Sequence, residues 1–149
     1  MKEITMMRSI EQASIKEAIH IFAQLNRANK DALVMSRRDR ELAETRRMVW
    51  AYLHENTKLS LVFLGQIFNR HHSTVIAGLR VHKRNMDVFS NGRPINPMYV
   101  RKYEEGSQIL DQMLNQQRQR NEGLDYRVVL YTNNPETLEH YEIVNYTKV

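Results

Sequence analysis

Cysteine is absent from the 149 residues, which excludes a disulfide framework and any thiolate zinc cluster and suits a reducing cytoplasm. Glycine occurs five times and proline three times. The glycines stand far apart, and nowhere do they make a Gly-x-x-x-x-Gly-Lys-(Ser/Thr) loop, so a phosphate-cradling nucleotide site of that kind is excluded. No apolar run approaches membrane-spanning length, and the first eight residues lack the apolar stretch of a secretory signal. The expectation is a soluble cytoplasmic protein that takes no cofactor, no nucleotide and no membrane. Internal repeats and low-complexity tracts are also missing.

What the chain has is positive charge, unevenly spread. Residues 36–84 carry ten Lys and Arg against Asp39, Glu41, Glu44 and Glu55, a net of +6, and since the whole chain is +5 the remainder is −1. An anionic partner is expected for that segment, and nucleic acid is the usual one. The alternative for charge alone is a solvated basic face.

Hydrophobic periodicity predicts a mainly α fold. Ile15, Ala18, Ile19, Phe22 and Ala23 mark one buried face of a helix over residues 9–29. A second helix over residues 37–55 buries Leu42, Val49 and Leu53, widened by Trp50 and Tyr52. Ser60 is a natural N-cap for a short helix carrying Leu61, Leu64, Ile67 and Phe68. Ser73 is positioned to cap another, in which Val75, Leu79, His82 and Met86 fall on one side and Thr74, Ala77, Gly78 and Val81 face outward. Two short helices joined by a sharp break, the second opening on polar and basic residues, are the layout of a helix-turn-helix. Residues 90–97 are dense in turn formers and are read as a boundary. Asn96 and Pro97 then open a further helix with Met98, Tyr103, Ile109, Leu110, Met113 and Leu114 as its apolar side. In the Tyr-rich tail, residues 126–132 and 141–147 alternate like the strands of a short hairpin turned at Asn133-Asn134-Pro135. The expected organisation is a DNA-binding domain over 1–89, an additional helix over 90–123 and a tail over 124–149.

At this point the residues point to a family. Arg46 with Met48, then Ser60-Leu61, Leu64-Gly65 and Phe68, then Arg70 and His72-Ser73-Thr74-Val75, follow the order of the (Arg/Lys)-Asp-His-(Thr/Ser)-Thr-Val signature and the segments before it. In this the chain resembles, over residues 15–86, the C-terminal duplex-DNA-binding domain of the bacterial replication initiator DnaA, with about one residue missing before Arg70. The resemblance implies an all-helical, Trp-repressor-like bundle that reads a short box in double-stranded DNA. It implies that Arg46 enters the minor groove, where its donors meet adenine N3 and thymine O2. Its neighbour Arg47 is expected on phosphate, with His72 at the mouth of the major groove and Ser73 and Thr74 donating to phosphate or a base edge. Arg70 heads the signature, and Arg80 and Arg84 on the last helix are phosphate candidates. The chain departs from the pattern at His71, where the family has Asp. A carboxylate accepts the cytosine N4 donor, whereas imidazole offers one acceptor at most, so the family's box is not carried over.

Other classes have less support. A metal site built from His54, His71, His72 and His82 would have no Cys and no His-Glu-x-x-His, and His82 belongs to the core face. No enzyme is expected. The leading reading is a sequence-preferring DNA-binding protein, nucleoid-associated, acting as a replication accessory or regulator without ATPase activity, such as in a phage or mobile element. Its rival is an assembly protein that forms a homo-oligomer through residues 97–149 and tethers DNA non-specifically.

Overall fold

The computed structural model describes the backbone of residues 3–121, 125–130 and 141–146 and the side chains of residues 11–116. Five α-helices lie in this part of the chain: α1 Ser9–Leu25, α2 Arg40–Asn56, α3 Leu61–Ile67, α4 His72–Asn85 and α5 Pro97–Asn121. A strand precedes them, β1 Glu3–Arg8, and two follow, β2 Asp125–Leu130 and β3 Tyr141–Tyr146. They pair antiparallel in the order β1-β2-β3, Glu3 opposite Leu130 and Asp125 opposite Tyr146. The expected turn at Asn133-Asn134-Pro135 lies outside the described residues. No described helix is long and apolar enough to cross a membrane.

α1 stops four residues short of the expected end, for a local reason. Arg27 adopts a left-handed conformation (φ 54°), and the Ala28 N–H reaches back to the Ala23 carbonyl. That is the capping arrangement that closes a helix and turns the chain out of it. A short 3-10 helix, Lys30–Val34, follows and buries Ala32, Leu33 and Val34. Periodicity did not indicate it, because five residues are too few to show a period. α2 begins at Arg40, not Arg37, since Asp39 is spent on an ion pair with Arg37 and caps no helical N–H. Arg37 and Arg38 are therefore loop residues.

One apolar cluster runs from Ile15 and Phe22 of α1 through Met48, Val49, Trp50 and Leu53 of α2 and Leu64, Phe68 and Val75 to Tyr99, Tyr103, Leu110 and Leu114 of α5. Phe22 stacks on Tyr103 with ring centroids 5.6 Å apart and planes 6° from parallel. The turn-rich stretch 90–97 is thus a surface connection and not a domain boundary, and α5 completes the core of the helices before it. The phase of α5 also differs from expectation: Tyr99, Tyr103, Gly106, Leu110 and Leu114 are buried, while Met98 (56%) and Met113 (37%) are exposed. Gly106 explains the shift. A Cβ there would lie 2.4 Å from Phe22 Cε1, so the absent side chain is what lets α5 lie against α1. Asn96 does cap α5, its Oδ1 accepting from the Tyr99 N–H at 3.3 Å.

Candidate nucleic-acid interface

The turn between α3 and α4 is built by backbone geometry. Ser60 Oγ accepts from the Phe63 N–H at 3.1 Å and starts α3. α3 ends where Asn69 turns left-handed (φ 55°), a conformation asparagine tolerates better than most residues, and the Arg70 N–H returns to the Gly65 carbonyl at 2.8 Å. Gly65 is required by that return: a Cβ would sit 2.4 Å from the Arg70 carbonyl oxygen. Below the turn, Trp50 donates from Nε1 to the Leu64 carbonyl at 2.8 Å and packs on Phe68, which ties α3 to α2.

α4 starts two residues earlier than expected. Its N-cap is His71 and not Ser73: His71 Nδ1 accepts from the Ser73 N–H at 3.2 Å and lies 2.8 Å from Ser73 Oγ. The residue that departs from the family signature thus caps α4, its imidazole offering the lone pair that a helix N-cap needs. His71 and His72 hold their rings 4.1 Å apart, and both are exposed, as are Ser73 and Thr74. A polar, solvent-facing first turn results, in which the Ser73 N–H is capped by His71 Nδ1 and the Thr74 N–H by the His71 carbonyl.

The outward face assigned to Thr74, Ala77, Gly78 and Val81 is only partly outward. Gly78 is buried against α2, where a Cβ would meet Trp50 ring carbons at 3.0 Å. The small residue permits helix packing and is not there for an approaching duplex. Thr74, Ala77 and Val81 line one side of a concavity whose other side carries Arg37, Arg38 and Arg47. Arg47 is half-buried, whereas Arg80 and Arg84 stand exposed farther along α4.

Arg46 departs most from expectation. It is 6% exposed, and four of the five N–H donors of its guanidinium bond to the segment before α2. Nε donates to Leu33 O (2.8 Å), Nη1 to Arg37 O (3.1 Å), and Nη2 to Met35 O (3.0 Å) and Ala32 O (3.3 Å). These carbonyls belong to the short helix and the loop leaving it; that of Ala32 also accepts from the Met35 N–H, and Arg46 gathers all four. Burial, with the Arg70 charge nearby, pushes its pKa down to about 10. Arg70 is half-buried and likewise turned inward, donating to Phe68 O and Met35 O, and burial lowers its pKa too. Both arginines line the concavity beside Arg37, Arg38 and Arg47, but in this conformation Arg46 gives four donors and Arg70 two to backbone carbonyls, where the sequence reading expects Arg46 to be free for a minor groove.

Residues 15–81 match the family model of the bacterial dnaA protein helix-turn-helix. Over these residues the chain is similar to a DnaA-type helix-turn-helix domain. The match spans somewhat less than half of the chain and ends within α4, so α5 and the strands lie outside it. A comparison with curated proteins finds no match. Within the matched residues α3 and α4 stand as the two helices of a helix-turn-helix, and the exposed His71 to Thr74 turn is the leading end of the second.

Behind that helix, on the side away from the concavity, His82 is buried. Its Nδ1 lies 2.6 Å from the Tyr99 hydroxyl, and its ring meets Tyr103 edge-on at 4.4 Å. Desolvation pushes its pKa down to about 4, so the ring is neutral, and its tautomer sets the direction of the hydrogen bond it shares with the Tyr99 hydroxyl. Burial raises both tyrosines, helped at Tyr103 by Glu55, whose carboxylate accepts from its hydroxyl at 3.3 Å. Tyr99 was the residue missed in the sequence. Its signal is the N3 position after an Asn-Pro helix start, where the side chain faces the core. Among the described residues no group of three or more His, Cys, Asp or Glu is placed to hold a metal ion.

Proposed function

We propose that this protein is a non-catalytic, sequence-preferring binder of double-stranded DNA, a replication-initiator-like accessory or a transcriptional regulator that works without hydrolysing a nucleotide. The observation that carries this reading is the first turn of α4. His71, His72, Ser73 and Thr74 are exposed at a helix N-terminus, and Thr74 faces Arg37, Arg38 and Arg47 across one concavity. Polar side chains that can meet base edges lie beside cations that can meet phosphate, the division of labour that sequence-preferring binding needs. The deciding experiment is selection of bound duplexes from a random pool, run in parallel with His71→Asp. Enrichment of one motif supports the reading, and a different motif for the aspartate variant assigns the position as base-reading. No enrichment in either protein rejects sequence preference.

A second reading draws on the exposed apolar side chains Phe89, Ile95 and Met98 around the start of α5. In it the protein self-associates and tethers DNA without reading it. Light scattering of the wild type and of Phe89→Ser/Met98→Ser separates the two, because only the tethering reading needs a mass that the double variant lowers.

A further inference from the structure

Two arginines converge on one loop. Arg46, from inside the bundle, and Arg70, from the turn that launches α4, both donate to the carbonyl oxygen of Met35, and Arg46 also holds the carbonyls of Leu33 and Arg37. The chain between Met35 and Asp39 is therefore fastened on two sides, to α2 by one guanidinium and to the helix-turn-helix by the other. What this loop presents is charge. Arg37 is exposed but bound to Asp39 at 2.6 Å. Arg38 is exposed, lines the same concavity as Thr74, and has no side-chain hydrogen bond or ion pair among the described residues.

We infer that Arg38 is the minor-groove reader of this protein, and that Arg46 and Arg70 are positioning residues that hold its loop beside α4. The inference rests on the duplex-binding reading above. With α4 in the major groove, a short cationic segment fixed beside its N-terminal turn is placed to cross a phosphate strand into the neighbouring minor groove, as arms flanking other recognition helices do. A free guanidinium on that segment has donors for adenine N3 and thymine O2. For Arg46 to do the same work it would have to leave its acceptors, abandoning the Leu33 carbonyl in the interior without a donor. Arg38 gives up nothing. Arg37 is held back by Asp39 and serves on phosphate.

The test uses one duplex in two versions, an A·T-rich sequence and the same sequence with every adenine replaced by 2,6-diaminopurine. That base adds an amino group in the minor groove and leaves the major-groove edge unchanged. Fluorescence anisotropy is read for the full chain, Arg38→Ala, Arg46→Lys and Arg46→Ala, with melting temperatures alongside. The wild type is expected to bind the adenine duplex about tenfold more tightly than the diaminopurine duplex. Arg38→Ala is expected to bind the two alike at an unchanged melting temperature. Arg46→Lys keeps the charge and loses the fork, so it is expected to melt lower and to bind both duplexes more weakly while keeping their ratio. A ratio retained in Arg38→Ala overturns the inference, as does a ratio abolished in Arg46→Ala at an unchanged melting temperature. A wild type that binds both duplexes equally also overturns it and leaves DNA binding intact, whereas a wild type that binds neither removes the reading on which it rests.

Discussion

The Met35 carbonyl oxygen accepts hydrogen bonds from both Arg46 and Arg70, so the centre of the helical bundle and the head of the helix-turn-helix share one acceptor. Arg46 is the more committed of the two, with four carbonyl partners and 6% exposure. Hydrogen bonds from a charged donor each contribute about 1.5–3 kcal/mol, and they are not additive within one group. Arg46→Ala is expected to lose about 2–4 kcal/mol of stability in urea denaturation, at an unchanged dependence on denaturant. A loss below about 0.5 kcal/mol would show that solvent replaces the guanidinium without cost.

Stability should fall in mild acid because of His82. Its pKa moves from 6.5 in the unfolded chain to about 4 in the fold, so between these values the unfolded state binds more protons. The contribution is complete above pH 6.5 and is lost as the pH falls through that window to about 4. A loss of about 2–3 kcal/mol is expected across it. His82→Asn keeps a hydrogen-bonding partner for the Tyr99 hydroxyl but does not titrate, so its denaturant midpoint should vary less between pH 7 and 4. Parallel curves for the two proteins would assign the acid sensitivity elsewhere.

At the head of α4, the cap and the base contact can be told apart. His71→Ala removes the acceptor for the Ser73 N–H and is expected to cost about 1 kcal/mol of stability without DNA present. His71→Asp restores an acceptor and adds a negative charge at a helix N-terminus, so it should be at least as stable as wild type. Thermal unfolding of the three proteins decides this, and an alanine variant as stable as wild type would deny the cap any weight.

The packing of α5 rests on Gly106. An added methyl would meet Phe22 Cε1 at 2.4 Å, and Phe22 is fully buried and stacked on Tyr103. Gly106→Ala is expected to destabilise by about 1–3 kcal/mol despite alanine's better helix propensity. A stabilised variant would mean that α5 is free to move off α1.

Binding should be steeply salt-dependent. With Arg46 and Arg70 turned inward and Arg38 assigned to the minor groove, the arginines left for phosphate are Arg37, Arg47, Arg80 and Arg84, and four such contacts correspond to a slope of log affinity against log salt of about −3 to −4. Titrations at several salt concentrations measure it. A slope near −1 would leave most of these side chains solvated in the complex.

Patterns that repeat within a few residues were legible in the sequence. Ser60 and the apolar spacing after it marked α3, Asn96-Pro97 marked the start of α5, and Val75 and His82 marked the inner face of α4. Ser73 is the expected cap because serine is the commoner acceptor, and nothing local says that the imidazole two residues earlier caps the helix instead. α5 was read out of phase because its contact line passes through Gly106, which carries no apolar signal, while Met98 and Met113 carry a strong one and face solvent. Arg46 could not be placed from the sequence, since its partners lie in a loop that earns no periodic signature and comes beside α2 only on folding. β1 was missed for the same reason, its partner strand lying at the other end of the chain.

The doubly fastened Met35 to Asp39 loop has a consequence for the thermodynamics of recognition. A reading element that is already ordered surrenders little conformational freedom at the moment of contact. Duplexes should then differ mainly in how long they are held, with encounter rates nearly common to all of them.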